Sequence, residues 1–181
     1  FGLVPYDDLI ALEKAFKDNT VAAFMVEPIQ GEAGVVIPTE GYLKGVRDLC
    51  THYNVLFIAD EIQTGLARTG KMLACDHENV RPDILILGKA LSGGTLPISA
   101  VLADNEIMMQ IKPGEHGSTY GGNPLACAVA MTSLEVLKSE KMAENAEAMG
   151  KLLRSELAKL NSPLIKQIRG RGLLNAIVIN H

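Results

Sequence analysis

Short continuous apolar runs alternate along the chain with longer stretches that carry their apolar residues at helical spacing. The continuous runs predict buried strands at Val21–Val26, Val55–Ala59, Ile84–Leu87 and Pro97–Leu102. The amphipathic stretches predict helices over residues 8–16, 41–53, 125–137 and about 141–160. Asp7 is placed to cap the first helix. Continuous apolar strands that alternate with helices are typical of an α/β fold with a mostly parallel sheet covered on both faces.

The character of the chain changes near residue 140. The helix predicted over residues 141–160 has a mixed-charge surface, and residues 164–180 resemble two strand segments around Gly170-Arg171-Gly172. We therefore expect residues 1–140 to belong to a large sheet domain and residues 141–181 to begin a smaller one. Since the chain starts at Phe1 without Met, shows no signal or transit segment and stops after an apolar run, we expect it to be a segment of a longer protein.

Composition and charge argue against several classes of protein. The 181 residues are 48% apolar and 21% charged, with a net charge of −4 and no cluster of Lys and Arg, which argues against binding to nucleic acid or to a membrane surface. The apolar runs are too short to cross a bilayer. The four histidines show no metal-ligand spacing. The three cysteines are scattered and form no CxxC pair, which suits a reducing compartment.

Two charged residues that follow predicted strands are the first candidates for chemistry. Lys89 comes one glycine after Ile84–Leu87, and Asp60 follows Val55–Ala59 directly. Open α/β sheets bind ligands at the carboxyl ends of their strands, and we expect burial there to lower the pKa of the lysine and make its amine reactive. A carboxylate at the same edge needs a cationic partner, which a protonated pyridoxal ring supplies. Taken singly, Lys89 could be a surface lysine and Asp60 a turn cap.

An amide and a glycine-rich loop complete the candidate site. Gln63, three residues after Asp60, could hydrogen-bond the edge of the same ring. Residues 114–124 are rich in glycine, contain Ser118 and Thr119, and lead into a helix, which suits a phosphate group; a flexible linker is the alternative. Residues 65–71 have the spacing of a nucleotide-binding P-loop, but Met72 stands where that loop has Ser or Thr, which argues against nucleotide hydrolysis.

As a set, these motifs resemble the class III aminotransferases, which depend on pyridoxal 5′-phosphate (PLP) and have fold type I. The resemblance covers most of the chain and rests on Val26–Glu32, Ala59–Gly65, Arg68–Gly70, Pro82–Ile84, Gly88–Gly94 and Gly117–Pro124. It implies that residues 1–140 are part of the large PLP-binding domain and that residues 141–181 begin the small C-terminal domain. Residues 114–124 and 170–179 are most similar to the ornithine-using members of the family.

The resemblance also implies a role for each candidate residue. Lys89 would bind the cofactor covalently and carry a proton, Asp60 would pair with the ring nitrogen, and Gln63 would bond the phenolic oxygen. Ser118 and Thr119 would reach the phosphate of a cofactor in the partner subunit. The implied site therefore lies at the interface of a homodimer or a higher homo-oligomer.

Glu32 is similar to a carboxylate that, in ornithine-using members, pairs with an arginine while the diamine is bound and releases it for the dicarboxylate. The implied reaction moves the δ-amino group of L-ornithine to 2-oxoglutarate. It gives glutamate and glutamate 5-semialdehyde, which cyclises to pyrroline-5-carboxylate. Because the family's other site residues would lie outside these 181 residues, we expect little or no transaminase activity from this stretch alone.

Several alternatives stay open on the sequence. N-acetylornithine and 4-aminobutyrate aminotransferases would share Lys89, Asp60 and Gln63. An aminomutase of the same fold is a further candidate, although Glu32 and the glycine-rich loop favour a transferase. A non-catalytic interaction module is the alternative from a different class. The resemblance to animal members implies the mitochondrial matrix, with the cytoplasm as the alternative location.

Overall fold

The structure, a computed structural model, describes residues 1–180. Its strands are β1 (Ala23–Val26), β2 (Leu56–Asp60), β3 (Ile84–Leu87), β4 (Ala100–Ala103), β5 (Ile165–Arg171) and β6 (Leu174–Ile179). Its α-helices are α1 (Leu9–Phe16), α2 (Tyr42–Tyr53), α3 (Asn105–Met108), α4 (Pro124–Ser139) and α5 (Met142–Ala158). Two short 3₁₀ helices span Ala74–His77 and Lys89–Ser92. No helix in this described range is long and apolar enough to cross a membrane.

The main sheet has the strand order β1-β2-β3-β4. Strands β1, β2 and β3 are parallel, with Val26 opposite Ala59 and Asp60 opposite Ile86, whereas β4 runs antiparallel to β3. Parallel strands end at the same edge of a sheet, so the residues that follow β2 and β3 lie side by side. This arrangement confirms the predicted α/β class with a mostly parallel sheet.

Two apolar clusters hold helices against this sheet. Leu12 of α1, Val46 of α2 and Phe57 of β2 belong to the first cluster, and all three are fully buried. The second cluster brings Ala130 of α4 together with Leu91 of the 3₁₀ helix after β3. Burying a large apolar side chain contributes roughly 1.5–3 kcal/mol, so these clusters fix both the strands and the turn that follows β3.

The N-cap of α1 is Asp8, and the prediction of Asp7 is wrong. Asp8 has extended backbone angles (φ −120°, ψ 90°), and its Oδ1 accepts the N–H of Ala11 at 2.8 Å. Asp7 has a left-handed φ of 64°, and its Oδ2 accepts the N–H and the hydroxyl of Thr39 at 2.9 and 2.7 Å. Both aspartates suit a cap by residue type; the tertiary contact with Thr39 decides between them.

Residues 165–179 form a separate antiparallel hairpin that packs on α5. The sequence predicts its turn at Gly170-Arg171-Gly172, but β5 continues through Arg171, which pairs with Leu174. Gly172 has a left-handed φ of 51°, and its carbonyl accepts from the guanidinium of Arg154 on α5 at 3.0 Å. The turn therefore begins at the second of the two glycines, which supplies the left-handed backbone angle that the turn requires.

Candidate active site

Asp60 and Lys89 lie where two neighbouring parallel strands end. Asp60 is the last residue of β2 and lies opposite Ile86 of β3. Lys89 follows β3 after Gly88, whose backbone is extended (φ −170°). The structure thus brings both charged residues to one edge of the sheet, as the sequence predicts. Open α/β sheets bind their ligands at this edge.

The carboxylate of Asp60 has one oxygen engaged and one available. Its Oδ1 accepts the N–H of Ile62 at 3.1 Å, which caps the turn after β2. No hydrogen-bond donor among residues 1–180 contacts Oδ2, and the residue is half-buried. A carboxylate partly removed from water gains from a cationic partner. The turn cap and the ligand site, which are alternatives on the sequence, are therefore compatible in one residue.

Lys89 lies in the wall of a large open cavity of about 1060 Å³. It begins a 3₁₀ helix with a φ of 41°, a conformation that is uncommon for a residue with a side chain. Lys89 is exposed, so the prediction that it is buried is wrong within residues 1–180. Across the described residues, the cavity lining includes two cations, Lys89 and Arg68, and no carboxylate, so the cavity favours an anionic ligand.

Gln63 lines the same cavity, and Glu32 holds its side chain in place. Gln63 Nε2 donates to Glu32 Oε1 at 3.0 Å. The amide also lies against the backbone of Gly31, because a Cβ added at Gly31 would stand only 2.3 Å from Gln63 Oε1. The structure therefore joins two predicted site residues that are 31 positions apart in the chain.

The turn that carries Glu32 is anchored on both sides. Gly34 N donates to Gly31 O at 3.0 Å, and Gly31 N donates to Glu27 Oε2 at 3.1 Å. Arg169 of β5 donates from Nη2 and Nε to Gly34 O, at 2.7 and 3.1 Å. Sequence reasoning missed Arg169, because 135 positions separate it from Gly34 and no local pattern marks it.

Glu61 is a second residue that sequence reasoning missed, and its exposure is only 1%. Its carboxylate accepts from the hydroxyl of Thr64 at 2.5 Å and from the N–H groups of Ala74 and Cys75 at 2.9 and 2.8 Å. These bonds tie the turn after β2 to the 3₁₀ helix that begins at Ala74. Burial, followed by the nearby Glu61 carboxylate, raises the pKa of the Cys75 thiol far above its ordinary value. An acid directly after a buried strand, with Thr three residues later, is the signal that could have found this cluster.

The glycine-rich loop does not reach the cavity described above. Ser118 and Thr119 are exposed, and neither residue lines that cavity. Ser118 Oγ accepts the N–H of Gly121 at 2.9 Å, and Asn123 caps α4. The structure therefore does not bring these hydroxyls together with the two strand-end residues. Their contact with a partner's cofactor stays a prediction.

The loop with P-loop spacing uses its backbone within the fold. Ala67 N donates to Met72 O at 3.2 Å, and Gly70 N donates to Ala67 O at 3.1 Å. Arg68 O accepts the N–H of Leu173 in the hairpin at 2.9 Å. A phosphate-binding loop presents a row of free backbone N–H groups to its ligand. In residues 65–71, the N–H groups of Ala67 and Gly70 are instead hydrogen-bonded within the loop and to Met72. This geometry agrees with the argument against nucleotide hydrolysis based on Met72.

The fold and the strand-end residues together indicate a class of protein. Residues 6–181 match the family model for class-III aminotransferases, so the chain belongs to that family. The predicted family is therefore confirmed, together with its α/β fold.

Within this family, the chain is similar to several individual aminotransferases. The chain is 69% identical over 179 residues to mitochondrial ornithine aminotransferase of Rattus norvegicus, a match that covers 99% of this chain and 41% of that protein. It is similar to an ornithine aminotransferase structure from Toxoplasma gondii with partial PLP occupancy at its active site, with a TM-score of 0.97, 58% identity, and coverage of 99% of this chain and 43% of the other. It is also similar to the structure of an acetylornithine aminotransferase from Elizabethkingia anophelis, with a TM-score of 0.96 and 63% identity. That match covers 98% of this chain and 45% of the other. The chain thus spans less than half the length of each of these proteins.

The residues at the strand ends fit PLP as a cofactor. PLP needs an amine for covalent attachment and a carboxylate that keeps its ring nitrogen protonated. Lys89 supplies an amine in the wall of the cavity, and Asp60 Oδ2 is an available acceptor at the neighbouring strand end. The described cavity lining carries the cations Lys89 and Arg68 and no carboxylate, which suits an anionic group; Asp60 lies at the neighbouring strand end and is not among the lining residues.

Proposed function

We propose that the protein is a PLP-dependent ornithine δ-aminotransferase. It transfers the δ-amino group of L-ornithine to 2-oxoglutarate and gives glutamate and glutamate 5-semialdehyde, which cyclises to pyrroline-5-carboxylate. The observation that carries this proposal is the pair of Asp60 and Lys89 at adjacent strand ends. These two residues belong to a chain that is 69% identical over 179 residues to rat mitochondrial ornithine aminotransferase.

Three side chains divide the work of cofactor binding and proton transfer. Bound PLP supplies an electron sink for the carbon that loses its proton. Lys89 would hold the cofactor through Nζ and would move that proton as a general base. Asp60 Oδ2 would accept the ring N–H and keep the ring nitrogen protonated, and Gln63 would donate to the phenolic oxygen. Asp60 can do this while its Oδ1 caps the turn.

Glu32 supplies the charge that adapts the site to its two substrates. Its carboxylate is held by Gln63 Nε2 at 3.0 Å. A carboxylate at this place favours a cationic diamine and disfavours a dicarboxylate. We therefore assign Glu32 to substrate selection: it pairs with an arginine while the diamine is bound and releases that arginine for 2-oxoglutarate.

We infer the assembly and the location of the protein from its resemblance to the same family. Ser118 and Thr119 are assigned to the phosphate of the partner subunit's cofactor, in a homodimer or a higher homo-oligomer. Their exposure in the isolated chain supports this assignment.

Residues 1–140 are assigned to the PLP-binding domain and residues 141–181 to the start of the small domain, which the separate hairpin sheet supports. The mitochondrial name of the rat relative supports the mitochondrial matrix over the cytoplasm.

An N-acetylornithine aminotransferase is the second candidate. The protein in the structure of acetylornithine aminotransferase from Elizabethkingia anophelis is 63% identical to this chain. Both enzymes would use Lys89, Asp60 and Gln63 in the same roles. The two functions differ in whether the α-amino group of the substrate is free or acylated.

The test uses the complete gene product that contains this chain, purified with PLP. We expect a visible absorbance band from the lysine-bound cofactor, and we expect L-ornithine, but not N-acetylornithine, to bleach it. Borohydride reduction followed by peptide mapping should place the pyridoxyl group on Lys89. The variant Lys89→Met should lose the band, whereas Lys138→Met, which removes an exposed lysine from α4, should keep it.

Two results would contradict the proposal in different ways. Bleaching with N-acetylornithine alone would retain the cofactor chemistry and establish the second candidate. A folded protein that binds no PLP, or that carries the pyridoxyl group on another lysine, would overturn the assignment of Lys89. It would favour a non-catalytic interaction module.

A further inference from the structure

The guanidinium of Arg169 is aimed at a single carbonyl in another part of the fold. Arg169 lies on β5 and donates from both Nη2 and Nε to Gly34 O, at 2.7 and 3.1 Å. Its remaining terminal nitrogen, Nη1, donates to Gln167 Oε1 at 3.4 Å, a long contact on the same strand. Two charge-assisted bonds to one oxygen constrain that oxygen in both direction and distance.

Gly34 is two residues after Glu32 in a tight turn. Gly34 has a φ of 105°, which favours glycine, and its N–H closes the turn on Gly31 O at 3.0 Å. On the other side, Gly31 N is held by Glu27 Oε2 at 3.1 Å. Arg169 therefore holds the side of the turn that Glu27 does not reach, and the backbone of Glu32 lies between the two anchors.

The position of Glu32 determines a contact inside the candidate site. Glu32 Oε1 accepts from Gln63 Nε2 at 3.0 Å, and the Gln63 side chain lines the cavity with Lys89. A shift of Gly34 would carry Glu32 with it and lengthen this bond. Misplacement of a charged group by about 1 Å can cost up to about a hundredfold in rate.

We propose that Arg169 is a positioning residue for the Glu32 carboxylate and, through it, for the preference of the site for a diamine. The inference rests on the proposed function, because it gives Glu32 its role in substrate selection. In the role that the resemblance gives it, the Glu32 carboxylate pairs with an arginine while the diamine is bound. A loosened carboxylate leaves that positive charge to oppose the cationic L-ornithine, whereas the arginine is already released when 2-oxoglutarate binds. Arg169 touches neither substrate.

The test compares the two half-reactions of the PLP-loaded gene product, each followed by the absorbance of its cofactor. For Arg169→Met we expect kcat/KM with L-ornithine to fall roughly tenfold, and we expect the reaction of the aminated enzyme with 2-oxoglutarate to change by less than about twofold. Arg169→Lys, which keeps one charged donor, should recover part of the loss. Lys166→Met removes an exposed cation from the same strand and should change neither half-reaction.

A double variant shows whether Arg169 acts through Glu32. If it does, adding Arg169→Met to a Glu32→Ala protein should cost little more, because the group that Arg169 positions is already absent. The same loss in both backgrounds, or an equal loss in both half-reactions, would overturn the proposal.

A second measurement does not depend on activity. Amide hydrogen exchange at Gly34 and Val35, whose N–H groups donate to Gly31 O at 3.0 Å, should be faster in Arg169→Met than in Lys166→Met. Unchanged exchange would overturn the positioning role. Failure of the wild-type protein to bind PLP or react would overturn the proposed function instead, so the two failures are distinguishable.

Discussion

At the scale of single residues, Gly31 leaves room for the Gln63 amide because glycine has no Cβ. An alanine at position 31 would put its Cβ 2.3 Å from Gln63 Oε1. The neighbour is the end of a flexible side chain, so the fold should survive while the amide moves and its bond to Glu32 breaks. If Gln63 binds the phenolic oxygen, Gly31→Ala should weaken PLP binding by about threefold to tenfold, the equivalent of one hydrogen bond.

Titration of the apo-protein with PLP, followed by absorbance, measures this effect. Gly2→Ala is the matched control, because no atom lies within 4 Å of the added Cβ. Equal PLP affinity in Gly31→Ala and Gly2→Ala would mean that Gln63 does not contribute to cofactor binding.

Glu61 provides a prediction about stability. Glu61→Gln keeps the shape of the side chain but replaces one acceptor oxygen by an NH₂ group that faces donors from Thr64, Ala74 and Cys75. We expect the free energy of unfolding to fall by about 2–3 kcal/mol, since a charge-assisted bond is lost and a buried donor is left unsatisfied. Glu40→Gln, at an exposed position, should change it by less than about 0.5 kcal/mol.

Urea unfolding of both variants measures the difference. If Glu61→Gln were as stable as Glu40→Gln, the buried carboxylate could not be the group that ties the turn after β2 to the 3₁₀ helix.

At the scale of elements, the hairpin turn and α5 meet through two glycines. A Cβ added at Gly150 of α5 would stand 1.7 Å from Gly172 O, a backbone atom that cannot move alone. Alanine is the better helix former by about 1 kcal/mol, so local propensity and tertiary packing oppose each other here. We expect packing to win, with Gly150→Ala destabilising the protein by about 1–3 kcal/mol.

A second helical glycine makes the control. In α2, a Cβ at Gly45 would meet only the side chain of Leu9, at 2.3 Å from Cδ1, and a side chain can swing away. Gly45→Ala should therefore cost less than Gly150→Ala in the same unfolding experiment. The reverse order would mean that the hairpin is not held closely against α5.

Local patterns predicted the elements well where the local and tertiary preferences agree. The run Ile84–Leu87 coincides with β3, and the helix predicted over residues 125–137 lies within α4 (Pro124–Ser139). The predictions were displaced by one or two residues where neighbouring positions offered the same local chemistry. Asp7 and Asp8 both suit a cap, and Gly170 and Gly172 both suit a turn, so contacts with Thr39 and with Arg154 made the choice.

At the scale of the whole molecule, the candidate site was predictable only in part. Asp60 and Lys89 could be placed because each directly follows an apolar run, and parallel strands end together. The bond between Glu32 and Gln63 could not be predicted from local pattern, nor could the contact of Arg169 with the turn. Those contacts depend on how distant segments pack.

The rates at which the three cysteine thiols react with an alkylating reagent can be used to measure opening of the fold. Cys50 and Cys75 are buried, and burial raises the pKa of Cys50 to about 11. Burial therefore keeps the reactive thiolate form of Cys50 scarce at pH 8. Cys127 is half-buried on α4. We expect iodoacetamide at pH 8 to modify Cys127 first and to reach the two buried thiols only when the sheet opens.

Peptide mapping of the native protein against a urea-unfolded control measures this order. In urea the three thiols should react at similar rates. Early modification of Cys50 in the native protein would indicate that the core around α2 and β2 opens more easily than its packing suggests.

The contact of Arg169 with Gly34 O also has a consequence for how the protein folds. It closes a loop of 135 positions, so its formation must overcome a large loss of chain entropy and comes after the local contacts of the sheet. We expect the same contact to open before the main sheet does, because β5 and β6 form a sheet of their own, separate from β1–β4. The contact can therefore form only after the chain has been synthesised through Arg169, and we expect the Glu32 turn to be among the first parts to loosen under mild denaturation.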